Sequence, residues 1–176
     1  TANTSTSSRT AYLIVAGQTF TVTQAAAPLP CTYSISPASA SPGYAAASGS
    51  VTVTPSSSAC PWTATSSDTS WLTCTPSGTG TATVTWSVTA NTSACSRSGT
   101  LNIYGQIFTV TQAGAACSYS LSPANASSTA SGGSSTVSVT ASPCCPWTAP
   151  SGASWIVINA VSAGSGNGTV YYTVAA

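Results

Sequence analysis

Charge is nearly absent from this sequence. Arg9, Arg97 and Asp68 are its only charged side chains, and it contains no Lys, Glu, His or Met. General acid or base catalysis needs titratable groups held close together, and a nucleophilic triad or metal site needs His, several carboxylates or clustered thiolates. One Asp supplies none of these, so the sequence predicts no enzymatic activity, no metal and no cofactor. Two arginines cannot neutralise a phosphate backbone, which argues against nucleic-acid binding. Long apolar runs are missing too: "AYLIVAG", starting at Ala11, is far too short to cross a bilayer, so no membrane insertion is expected. No cationic, hydrophobic secretion signal opens the sequence, and the expectation is that any such leader has been removed.

What is present is Ser and Thr, more than a third of all residues, arranged in alternation with Val, Ile, Leu and aromatics, as in "SVTVT" and "FTVTQA". That period of two marks strands buried on one side, with the hydroxyls facing out. No segment of useful length carries a helical period, so the chain is predicted to be all-β. Seven cysteines in a small β protein point to an oxidising compartment, hence an extracellular or cell-surface location, provided they pair.

The chain repeats itself. "CTYSISP" at Cys31 recurs as "CSYSLSP" at Cys117, "CPWTA" at Cys60 recurs at Cys145, Trp71 recurs as Trp155, and "GQTFTVTQA" from Gly17 recurs as "GQIFTVTQA" from Gly105. One repeat runs complete from about Cys31 to Ala113; the other opens at Cys117 and stops at Ala176. Residues 1–25 align without a gap on residues 89–113, so the expected organisation is two whole repeats in permuted order. The segments are residues 1–25 as a donor hairpin, 26–114 as a complete sandwich and 115–176 as an incomplete, acceptor sandwich. The complete repeat reads as about seven strands, near 31–37, 49–55, 61–66, 71–75, 80–90, 99–104 and 106–113, with the last turn at Gly105-Gln106 and its counterpart at Gly17-Gln18. Short strands, Pro/Gly turns and this repeat length fit tandem immunoglobulin-like β-sandwiches, the second lacking its last hairpin. A lone barrel per repeat is the alternative.

The motifs C-x-Y-S-x-S-P, S-V-T-V-T, C-P-W-T-A, S-W and the closing G-Q-x-F-T-V-T-Q-A resemble the BACON domains, bacterial extracellular immunoglobulin-like modules often found in tandem. The resemblance covers essentially the whole chain and implies carbohydrate or mucin binding, without assigning that role to particular residues. The broken repeat departs from the family's continuous pattern.

A sandwich short of a hairpin exposes a sheet edge and a gap in its core. Matching the repeats places Leu13, Val15, Phe20 and Val22 at the positions of Leu101, Ile103, Phe108 and Val110, where they should enter a core. Tyr12 and Ile14 should face outward, where the complete repeat has Thr100 and Asn102, and belong to the donor interface if the hairpin buries both its faces in a fibre, the alternative being an ordinary exposed apolar pair. The acceptor face should be formed by Val170, Tyr172 and Val174. Two closures are open: the hairpin folds back on its own chain, or it completes a neighbour. The linker "QAAAPLPC", stiffened by Pro28 and Pro30, favours the neighbour. The chain then assembles head to tail with copies of itself into an extracellular filament or pilus-like fibre. A window cut from a longer covalent array would give the same match, and a carbohydrate-binding, adhesive tandem module is the alternative function.

Cys74 and Cys95 are both absent from the split repeat, replaced by Ile158 and Ser7, which predicts a bond between them; Cys31 with Cys60 and Cys117 with Cys145 are both retained, predicting a second bridge type. Cys144 is left as an alternative partner for Cys117, a free thiol or an intermolecular link. Trp62, Trp147 and Trp86 are read as core, leaving Tyr104 and Tyr171 as the aromatics available to stack on a sugar. Sequons at Asn3, Asn91, Asn125 and Asn167 offer glycosylation sites.

Overall fold

A computed structural model describes all residues, 1–176, and contains strands but no helix. The chain begins with a hairpin, β1 (Arg9–Val15) and β2 (Gln18–Gln24), that forms a two-stranded sheet of its own. The intact repeat follows with nine strands: β3 (Tyr33–Ser36), β4 (Ser39–Ala40), β5 (Ala47–Pro55), β6 (Pro61–Ser66), β7 (Leu72–Cys74), β8 (Ser77–Thr79), β9 (Ala82–Val88), β10 (Arg97–Ile103) and β11 (Gln106–Gln112). They build two sheets, β3-β5-β9-β7 and β4-β11-β10-β6-β8. All pairings are antiparallel except β4 with β11. The short β4 and β8 are too brief to carry an alternating pattern, which is why they add to the expected strands.

The core between these sheets follows directly from the alternation. Val51 and Val53 of β5, Val84, Trp86 and Val88 of β9, Leu101 and Ile103 of β10, and Phe108 and Val110 of β11 point inward, with Trp62, Ala64, Trp71 and Leu72 between them. Thr52, Thr54, Thr83, Thr85 and Ser87 point out. Trp62 lies flat on Gly78 of β8, where any Cβ would overlap its ring, and its indole N–H donates to the Gly80 carbonyl at 3.0 Å.

The second repeat has β12 (Tyr119–Ser122), β13 (Gly133–Ala141), β14 (Pro146–Thr148), β15 (Ile156–Ala160), β16 (Ala163–Ser165) and β17 (Gly168–Val174). The sheet β12-β13-β17-β15 reproduces β3-β5-β9-β7 strand for strand, and the pair β14-β16 reproduces β6-β8. Trp147 lies on Gly164 and donates to the Gly166 carbonyl at 2.7 Å, as Trp62 does in its own repeat. Residues 117–176 hold no counterpart of β10 and β11, and without β11 the residues matching β4, Asn125 and Ala126, form no strand.

Two expectations need correction. The hairpin turns sit one residue earlier than expected: Ile103 pairs with Gln106 and Val15 with Gln18, so the turn residues are Tyr104-Gly105 and Ala16-Gly17. All four have positive φ, the requirement of the tight hairpin turn that follows the twist of its strands. The disulfides are Cys31–Cys60, Cys117–Cys145 and Cys95–Cys144; the expected Cys74–Cys95 bond does not form, and Cys74 is free. Cys74 stands opposite Trp86 and packs against the core, while Cys95 lies in the loop before β10 and meets Cys144 in the loop after β13. Ile158 replaces Cys74 as one apolar filler for another, so their joint absence with Cys95 had no covalent cause. Burial pushes the Cys74 thiol pKa up.

Candidate assembly site

The hairpin of residues 1–25 is folded but unpartnered. In its register Ala11 faces Val22, Leu13 faces Phe20 and Val15 faces Gln18, so the apolar residues share one face, while Tyr12 and Ile14 lie on the other opposite Thr21 and Thr19. Leu13, Val15, Phe20 and Val22 are 57%, 61%, 60% and 47% exposed; their counterparts Leu101, Ile103, Phe108 and Val110 are each 0% exposed. Tyr12 and Ile14 are also exposed.

The base of this hairpin is a polar lattice that repeats the one in the intact repeat. Arg9 Nε donates to Gln24 Oε1 at 2.8 Å, a second Arg9 nitrogen donates to the Thr1 carbonyl at 2.8 Å, and Asn3 Nδ2 donates to the carbonyls of Ser7 and Ala25 at 2.9 and 2.8 Å. In the intact repeat Arg97 bonds Gln112 and the Thr89 carbonyl, and Asn91 bonds the carbonyls of Cys95 and Ala113, in the same arrangement. The link to the next sandwich is repeated as well, Ala27 N–H donating to Ser5 and Ala115 N–H to Ser93.

The second repeat carries a groove of about 900 Å³ lined by Val137, Trp155, Ile156, Ile158, Val170, Tyr172 and Val174 among others. A second hollow, about 670 Å³, lies beside Leu121, Val139 and Trp147 and shares Val137 and Val170 with the first. In the intact repeat Val51, Trp71, Leu72, Val84, Trp86 and Val88 hold the matching positions and are packed with Leu101, Ile103, Phe108 and Val110. Of the three acceptor residues expected from sequence, Val170 is buried and Tyr172 and Val174 are half-buried. Val137, Trp155, Ile156 and Ile158 were missed, although matching Val51, Trp71, Leu72 and Cys74 across the repeats would have found them.

The sequons divide. Asn91 is buried with its amide committed to two carbonyls, so it is no glycosylation site in the folded chain, contrary to expectation. Asn3 is held the same way and is half-buried, whereas Asn125 and Asn167 are both exposed, Asn167 accepting at Oδ1 from Ala141 N–H. Tyr104 and Tyr171 are both exposed but belong to different repeats; Tyr104 packs against Tyr33 with ring centroids 4.3 Å apart and planes tilted by 41°. Trp62 and Trp86 are buried, and Trp147 is half-buried.

Residues 32–115 match the sequence profile of the viral BACON domain. The matched span is the intact sandwich, and the resemblance read from its motifs is therefore to a domain described as viral, where a bacterial one was expected. No curated protein matches this chain. Three disulfides in an all-β chain fit an extracellular or secreted protein.

Proposed function

We propose that this protein is a structural subunit of an extracellular filament, in which residues 1–25 of one copy complete the sandwich of residues 115–176 in the next. The observation that carries this reading is the contrast between four fully buried side chains in β10 and β11 and their four exposed counterparts in β1 and β2, next to a groove of matching lining. Burying Leu13, Val15, Phe20 and Val22 contributes roughly 6 to 12 kcal/mol before ordering costs. The hairpin has the same strand register as β10 and β11, and any pre-organisation of it lowers the cost of docking. Head-to-tail donation leaves a free hairpin at one end and a free groove at the other, and so continues into an open chain unless the rotation closes a ring. The scarcity of charge removes the repulsion that keeps ordinary surfaces apart.

Electron microscopy and size-exclusion chromatography of the purified chain test the proposal. Wild type is expected to form filaments. Phe20→Asp (no donor) and Tyr172→Lys (no acceptor) are each expected to stay monomeric, and an equal mixture of the two to stop at dimers. Wild type that remains monomeric at every concentration sinks the reading, and so does a Phe20→Asp chain that still polymerises; a longer chain supplying its own following hairpin would give the first result.

A second reading, an adhesive or carbohydrate-binding module, draws on the viral BACON match and on the exposed Tyr104 packed against Tyr33. Its test is glycan binding by the monomeric Phe20→Asp chain, lost on adding Tyr104→Ala.

A further inference from the structure

The apolar face of the hairpin does not by itself fix where it docks. Leu13 and Val15, like Phe20 and Val22, are spaced by two, so a slide of two residues along the groove keeps apolar side chains pointing inward. Something polar must choose between these positions.

In the intact repeat that choice is visible. Gln112 is fully buried, and its Nε2 donates to the carbonyls of Tyr44 (3.2 Å), Ala45 (3.1 Å) and Thr89 (3.0 Å), while its Oε1 accepts from Arg97 Nε (2.9 Å). Arg97 also lies over the Trp71 ring, its Cζ 4.4 Å from the centroid. In the free hairpin Gln24 already donates to the Thr1 carbonyl at 3.1 Å and accepts from Arg9 at 2.8 Å. Gln24 lacks the two turn carbonyls and Arg9 lacks the ring, all of which belong to a different segment. The second repeat supplies candidates for each. Ala130 and Ser131 match Tyr44 and Ala45: the turns start from Pro123 and Pro37, both preceded by a cis peptide bond, and end at Gly133 and Ala47, which pair with Val174 and Val88. Trp155 matches Trp71 and is 56% exposed where Trp71 is 6%.

We infer that Gln24 and Arg9 are the register-setting residues of the joint, Gln24 docking on the carbonyls of the Ala130-Ser131 turn and Arg9 on the face of Trp155 in the acceptor copy. This rests on the complementation reading above and adds to it the residues that make one alignment the preferred one. In a slipped alignment the Gln24 amide is buried away from those carbonyls, and a buried donor without an acceptor is costly. Arg9 loses the ring at the same time.

The test uses paired cysteines in the chain of residues 1–176 carrying Cys74→Ser. Thr109 and Ser39 are partners across β11 and β4, so Thr21→Cys with Asn125→Cys reports the correct register between copies, and Thr23→Cys with Asn125→Cys reports a slip of two. Mild oxidation is expected to give a ladder of linked multimers from the first pair and none from the second. Adding Gln24→Leu, which keeps the apolar face, is expected to divide the ladder between both pairs and to speed filament dissociation by about tenfold or more. Arg9→Gln and Trp155→Phe should each speed dissociation, and the double variant should do so no more than the stronger single one. A Gln24→Leu chain that links only through the first pair and dissociates at the wild-type rate overturns the inference while leaving complementation standing. Absence of any ladder and of any filament from the chain that retains Gln24 overturns complementation itself.

Discussion

Phe20 and Phe108 occupy the same place in the same motif, "FTVTQA", on hairpins with the same register and the same turn, yet one is in solvent and the other is sealed in a core. The strands the two repeats share are also built alike: Trp62 and Trp147 make matching hydrogen bonds over the matching glycines Gly78 and Gly164, and Tyr33 and Tyr119 donate to the carbonyls of Pro61 and Pro146. The alternation of a strand thus defines which side chains are to be buried, and the facing sheet decides whether they are. Two strands on their own are marginal at best in water, because nothing in a hairpin can cover its own apolar face.

The sharpest way to break the comparison is to truncate both phenylalanines. Phe108→Ala is expected to destabilise the intact sandwich by about 3 to 5 kcal/mol, whereas Phe20→Ala should change the unfolding free energy of the monomeric chain by less than about 0.5 kcal/mol. Guanidinium unfolding followed by tryptophan emission measures both. Equal losses would mean that Phe20 is already buried in the monomer. A smaller effect is expected at the bridge between repeats. Cys144→Ser with Cys95→Ser removes a covalent loop closure of 49 residues, worth up to about 4 kcal/mol on chain-entropy grounds. It should lower the transition of the second repeat, which has the weaker core, more than that of the first. Smallest is the response to pH. The Asp68 carboxyl is held below its ordinary value by hydrogen bonds from the Ser70 hydroxyl and amide. A depressed carboxylate contributes stability above its unfolded pKa, about 4, and loses it as pH falls through the folded value. With no His and no other carboxylate side chain, the unfolding midpoint should be flat from about pH 5 to 8 and decline only in acid, and Asp68→Asn should abolish that decline.

Much of this was legible in the sequence because it depends on local alternation and on comparing one copy with the other. The strands of the intact repeat, the inward set of Leu101, Ile103, Phe108 and Val110, and the inferred orientation of the donor face all come from period-two patterns. The bond between Cys95 and Cys144 was not legible, because it joins two loops from different repeats and no internal copy exists to compare it with. The commitment of Asn91 was hidden for a different reason: Asn-Thr-Ser reads as a surface sequon, and only the closing of the 91–95 turn on Ala113 shows that its amide is spent inside. The β4 contact was invisible as well, since two residues have no period.

The Cys95–Cys144 bridge ties the intact sandwich to the one that follows it in the chain, and at the preceding link the corresponding positions are Ser7 and Ala59, which cannot bond. In a fibre built from such subunits, covalently braced links would alternate with unbraced ones. Bending would then concentrate at the unbraced linkers, and rupture under tension at the donated joints, where no covalent path crosses, each break drawing a hairpin out of a split sandwich and leaving the intact one whole.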